Sequence, residues 1–70
     1  MKAIIGRCLL QDLLDSRGWT QLQLADKTGI AKSQISDYTR GTRKMSFSTA
    51  YLIAFVLKCD MSDLYSMTIK

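Results

Sequence analysis

Lys32, Arg40, Arg43 and Lys44 fall in one stretch whose single anion is Asp37. Clustered Lys and Arg can hold a phosphodiester backbone, because each contact releases counterions condensed on the phosphates. Lys32 can donate to guanine O6 and N7, and the small hydroxyls of Ser33 and Ser36 suit either a base edge or a phosphate. The carboxylate of Asp37 could accept from a cytosine amino group or repel phosphate. Upstream, Thr20-Gln21 would place an amide beside the free N–H groups of a helix start, where an anion is favoured. Each residue also has a plainer reading. A solvated loop would carry the same charges, and Gln21 could be an ordinary helix former.

Catalysis finds little to work with. The chain has neither His nor Glu, so acid–base chemistry would fall on Asp, Lys, Tyr or Cys, and 70 residues leave little room for a closed pocket. No nucleophile–base pair or Gly-rich phosphate loop is apparent. Cys8 and Cys59 are far apart with no CxxC pair, so reduced thiols are expected and no metal set can be assembled. An enzyme, a metal, a cofactor and a small-molecule ligand are therefore not expected. Ten Lys+Arg against six Asp leave a net charge of +4, which makes an anionic partner plausible. No apolar run approaches the roughly 18 residues of a membrane span, and the first ten residues lack the h-region of a signal peptide. A cytoplasmic location is expected.

The elements that would position these residues can be read from caps and turns. Pro is absent and Gly occurs only at 6, 18, 29 and 41, so an all-α chain of five helices is the simplest expectation. A first helix from about Ala3 to Arg17 would turn Leu10, Leu13 and Leu14 inward, with Gln11, Asp12 and Asp15 outward. Thr20-Gln21-Leu22-Gln23 has the form of a capping box, so a second helix should start at Gln21 and run to Thr28 with Leu24 and Ala25 inward. After Gly29-Ile30-Ala31, a third should run from about Lys32 to Thr39 and end at Gly41. On its wheel Ala31, Ile35 and Tyr38 share one face, opposite Ser33, Ser36, Asp37 and Arg40, with Lys32 at the edge. Two short helices joined by such a turn are the helix-turn-helix signature.

Ser46 would cap a fourth helix, roughly Phe47 to Lys58, and Asp60 with Asp63 would start a fifth through Tyr65, leaving Ser66–Lys70 as a short tail. In the fourth, Phe47, Ala50, Tyr51, Ile53, Ala54 and Leu57 make a core face, yet Leu52, Phe55 and Val56 are apolar on the other side. Those three would be covered by the N-terminal segment, by the tail or by a second copy of the chain. Trp19 and Tyr38 are expected to pack rather than to stack on bases.

Gly18-Trp19-Thr20-Gln21, Leu24-Ala25, Gly29-Ile30, Ser33-Gln34-Ile35-Ser36, Gly41 and Asp63-Leu64-Tyr65 occur in an order that resembles the Cro/repressor-type, XRE-like helix-turn-helix proteins of phages and bacteria. The likeness runs from about Gly6 to Tyr65. It implies a single lambda-repressor-like, five-helix DNA-binding domain over residues 1–70, with the helix-turn-helix at about 20–40. By the same resemblance the third helix would enter the major groove of an operator. Lys32, Ser33, Ser36 and Asp37 would take base-reading positions, and Thr20, Gln21, Arg40, Arg43 and Lys44 would hold phosphate. Leu14 and Thr39 stand where many relatives carry an Arg–Glu pair, and Ala31 replaces the usual Ser or Thr cap.

The function expected is a sequence-specific regulator of transcription, a repressor that occupies its operator as a homodimer with Leu52, Phe55 and Val56 in the seam. With no effector domain after the motif, steric occlusion is the simplest mechanism. The alternative is a protein-interaction module on the same scaffold, an antitoxin-like or antirepressor partner, favoured by the apolar stripe and by Leu22.

Overall fold

The computed structural model describes residues 1–70 and places four α-helices and a 3-10 turn between two strands. The order is β1 (Ala3–Cys8), α1 (Leu10–Arg17), α2 (Gln21–Thr28), α3 (Lys32–Arg40), α4 (Phe47–Leu57), the 3-10 turn (Met61–Asp63) and β2 (Tyr65–Ile69). Ten residues form the core: Leu10, Leu14, Leu24, Ile35, Tyr38, Ala50, Ile53, Ala54, Leu57 and Leu64. On α1, α3 and α4 they fall at i, i+3 or i+4 spacings and α2 adds Leu24, which is why helices this short hold their shape: packing of one apolar face supplies most helix stability in proteins. Trp19 is half-buried against this core, and Tyr38 lies inside it.

The five-helix, all-α expectation is corrected at both ends. Residues 3–8 are a strand rather than the start of α1, and residues 65–69 are its antiparallel partner rather than a tail. The intended fifth helix is only the Met61–Asp63 turn, with the Asp60 amide donating to Asp63 Oδ2 at 3.1 Å. The reason is long-range pairing. Ile4, Ile5, Tyr65, Thr68 and Ile69 suit a pleated surface, and each strand supplies the hydrogen-bond partner the other lacks. The base of this ribbon is fixed to the helices by the Leu9 amide, which donates to the Leu64 carbonyl at 2.8 Å.

Register runs Ala3 to Ile69, Ile4 to Thr68 and Ile5 to Met67, then shifts so that Cys8 faces Tyr65. Gly6 and Arg7 thus share the single opposing residue Ser66, the two-against-one count of a β-bulge. A Cβ at Gly6 would meet Ser66 Oγ, so a side chain there would force that hydroxyl to rotate away. That same oxygen accepts from the Arg7 amide at 2.8 Å, so the bulge and its hydrogen bond are one device.

Helix α4 corrects a second expectation. Ala50, Ile53, Ala54 and Leu57 are buried, but Phe47 and Tyr51 are 77% and 61% exposed. The two alanines let α4 approach the core closely, and the larger side chains are left outside that narrow contact. Of the opposite set, Phe55 and Leu52 are exposed, whereas Val56 packs against its own core. Neither the N-terminal strand nor the C-terminal one covers Phe55. No helix is long and apolar enough to cross a membrane.

Candidate nucleic-acid interface

The helix-turn-helix is built as its caps dictate. Thr20 Oγ1 accepts from the Gln23 amide at 3.1 Å while Gln23 Oε1 accepts from the Thr20 amide at 2.8 Å, closing the capping box at the start of α2. Thr20 therefore keeps a free hydroxyl proton, and the first-turn amides of Gln21 and Leu22 have no partner within the chain. Gly29 makes the turn at φ 76°, a left-handed conformation that a side chain would strain. The Ile30 amide that follows donates to Thr28 Oγ1 at 3.2 Å.

The third helix, α3, presents two distinct faces. Ile35 and Tyr38 are anchored in the core, while Lys32, Ser33 and Arg40 are exposed, and Ser36 and Asp37 are partly so. Ala31 at the N-cap makes no side-chain hydrogen bond, so the first amides of α3 also stay open. The inner face read from sequence holds at Ile35 and Tyr38 but not at Ala31, which is the exposed N-cap, and the helix ends one residue later, at Arg40.

Gln21 joins three helices. Its Oε1 accepts from Ser36 Oγ at 2.6 Å, and its Nε2 donates to Gln11 Oε1 at 2.7 Å and to Thr39 Oγ1 at 3.4 Å. Thr39 in turn donates to the Ser36 carbonyl at 2.8 Å. This half-buried network fixes the angle of α3 against α1 and α2. It also explains how the chain does without an Arg–Glu pair: Leu14 is fully buried, and Thr39 supplies a neutral polar link instead. Gln11 was not singled out from sequence. No local signal marks it, since its partner lies on another helix.

Asp37 is engaged as well. Its carboxylate pairs with Arg40 and lies 4.0 Å from Arg43 Nε. In the free protein it therefore draws together Arg40, at the end of α3, and Arg43, in the loop beyond, on the same face as the expected base-reading residues. Arg40, Arg43 and Lys44 are all exposed, and the Tyr65 hydroxyl accepts from the Met45 amide at 3.0 Å, fastening the loop that carries them to β2. Burial pushes the Tyr65 hydroxyl and the Cys8 thiol up from their ordinary pKa values, so both stay neutral beside these cations. The arrangement can offer hydrogen bonds from an exposed helix face and positive charge along its flank, and it contains no group of three or more metal-ligating residues.

Residues 10–64, from α1 to Leu64, match the family model for the helix-turn-helix. The chain belongs to the Cro/repressor-type, XRE-like helix-turn-helix family. This helix-turn-helix protein is also similar to the SPbeta prophage-derived uncharacterized HTH-type transcriptional regulator YopS of Bacillus subtilis (strain 168), at 39% identity over 71 residues that cover 100% of this chain and 96% of the relative. The family match leaves out β1 and β2 entirely, whereas the likeness to the prophage protein includes them.

Proposed function

We propose that this DNA-binding transcription regulator inserts α3 into the major groove of a double-stranded operator. The observation that carries the reading is the exposed face of α3, small and polar at Lys32 and Ser33, backed by buried Ile35 and Tyr38 and flanked by Arg40, Arg43 and Lys44. Lys32 and Ser33 read base edges from the N-terminal half of the helix. Ser36 sits beside them with its proton committed to Gln21, so it meets a base or phosphate as an acceptor from water or as close packing. Thr20 through its free hydroxyl proton, Gln21 through its open backbone N–H, and Arg40, Arg43 and Lys44 hold phosphates and fix register, as most contacts of such proteins do. By occupying its site in the cytoplasm the protein acts as a repressor.

Selection of binding sites from random duplex, followed by anisotropy titration at two salt concentrations, tests this. The expected outcome is a defined consensus and a log–log salt slope of about −0.9 for each phosphate neutralised. Equal, weak affinity for every duplex would defeat the reading. It would favour the interaction-module alternative, which draws on the 56% exposure of Leu22 on the outer side of α2.

One recognition helix spans few base pairs, and two copies on half-sites about 34 Å apart would gain specificity. The stripe Phe47, Tyr51 and Phe55, joined by Leu52, is the surface for that second copy, because these residues are exposed and recur every four positions along α4. Val56 contributes from beneath by packing on the core. Phe55→Lys is expected to turn a dimer into a monomer in sedimentation velocity and to lower affinity for a symmetric site far more than for a half-site. A wild-type chain that stays monomeric at every concentration, on and off DNA, would remove this seam.

A further inference from the structure

A cleft of about 280 Å³ opens between β1 and the end of α3, and four cations line it: Arg7, Arg40, Arg43 and Lys44. Thr39 and Tyr65 add hydroxyls to its wall, and no acidic residue lines it. The acids nearby act from outside, Asp12 on Arg7 at 2.8 Å and Asp37 on Arg40 and Arg43. Lys44 has no ion-pair partner. Two acids against four cations leave the cleft positive. Arg7 is the unexpected member, since it comes from the terminal ribbon and not from the helix-turn-helix. It sits at the bulge opposite Ser66, lines the cleft alongside the α3 cations, and places its guanidinium on Asp12 of α1.

We propose that Arg7 extends the DNA contact beyond the helix-turn-helix, clamping one backbone phosphate of the operator in this cleft together with Arg40, Arg43 and Lys44. The inference rests on the regulator reading above and adds a residue and a subsite to it. A guanidinium is suited to the task because its planar N–H groups meet two phosphate oxygens at once. The subsite lies at the C-terminal end of α3, along the edge where the backbone would leave the groove. Arg7 lies outside residues 10–64, so the clamp is supplied by the ribbon that the family match omits. A free phosphate shares the same chemistry, and the two sources are separated by the experiment.

Binding of the selected operator is followed by anisotropy over a salt series for the wild type, Arg7→Ala and Asp12→Asn. The Arg7–Asp12 pair is exposed at both ends, so neither change should prevent folding, which thermal unfolding verifies. Arg7→Ala is expected to weaken binding about tenfold and to reduce the magnitude of the salt slope by about 0.9, the value for one phosphate. Asp12→Asn, which frees Arg7, is expected to bind at least as tightly as wild type. Duplexes with a single neutral methylphosphonate should contain one position that weakens wild type but not Arg7→Ala. If the wild type binds no duplex, the regulator reading itself falls. If it binds and Arg7→Ala keeps both affinity and slope, only the clamp falls. Equal weakening by Asp12→Asn and Arg7→Ala would assign Arg7 to bracing α1 instead. Saturable binding of inorganic phosphate that requires Arg7, with DNA affinity unaffected, would give the cleft to a free anion and overturn the proposal.

Discussion

Ile35→Ala is expected to destabilise the fold by about 3 kcal/mol and to abolish DNA binding with it. Ile35 is 0% exposed on the inner face of α3, and truncating such a side chain removes its burial and leaves a cavity that the surroundings fill only partly. Stability of roughly 0.1 kcal/mol per residue gives a chain of this length only about 7 kcal/mol in total. The variant would therefore lose a large share of its margin and unfold at clearly lower denaturant. Urea titration followed by circular dichroism checks this, with an unchanged slope and a lower midpoint as the expected pattern. Binding falls for a separate reason: without its anchor, α3 no longer presents Lys32 and Ser33 at a fixed height. A variant that is destabilised yet binds as wild type at saturating fold would show that the inner face does not set the outer one.

The second large effect is expected at Gln21. Gln21→Ala removes the group that links Gln11, Ser36 and Thr39, and leaves their half-buried polar atoms to find water or new partners. Losing a partner in such a network costs about 1–2 kcal/mol. Operator affinity should fall further than stability accounts for, by tenfold or more at a temperature where the variant is fully folded. Two things are lost together: the Gln21 side-chain amide beside the open first-turn N–H groups of α2, and the brace that sets α3. Gln11→Ala separates them, because it loosens the brace while keeping the amide. It is expected to fall between wild type and Gln21→Ala. Operator anisotropy and thermal unfolding on the same three proteins measure both quantities.

The helix-turn-helix was legible because its signals are local. Thr20 and Gln23 sit three positions apart, and the box they close follows from that spacing. Ile35 and Tyr38 mark the inner face of α3, so its outer face is known by difference. The ribbon was not legible for the opposite reason. Ala3 meets Ile69 across nearly the whole chain, and neither strand has a periodicity that identifies its partner in advance. Leu10, Leu13 and Leu14 drew the first helix too far toward the N-terminus, although Ile4 and Ile5 were available as β-branched warnings. On α4 the apolar residues surround the helix, and a wheel cannot say which side the core will take. Packing decided it through Ala50 and Ala54, whose small size brought α4 close and left Phe47 and Tyr51 outside. At the site, residue types indicated a charged flank, but only the geometry shows that Asp37 pairs with Arg40 and lies near Arg43 and that Gln11 belongs to the Gln21 network.

The outermost rung of the ribbon joins the Lys2 and Lys70 backbones in both directions. Closing so long a ring forfeits more chain entropy than any other contact in the molecule, and little buried area is returned at that rung. The ribbon is therefore expected to fray from its open end, with amide exchange fastest at Lys2 and Lys70 and slowing toward Leu9.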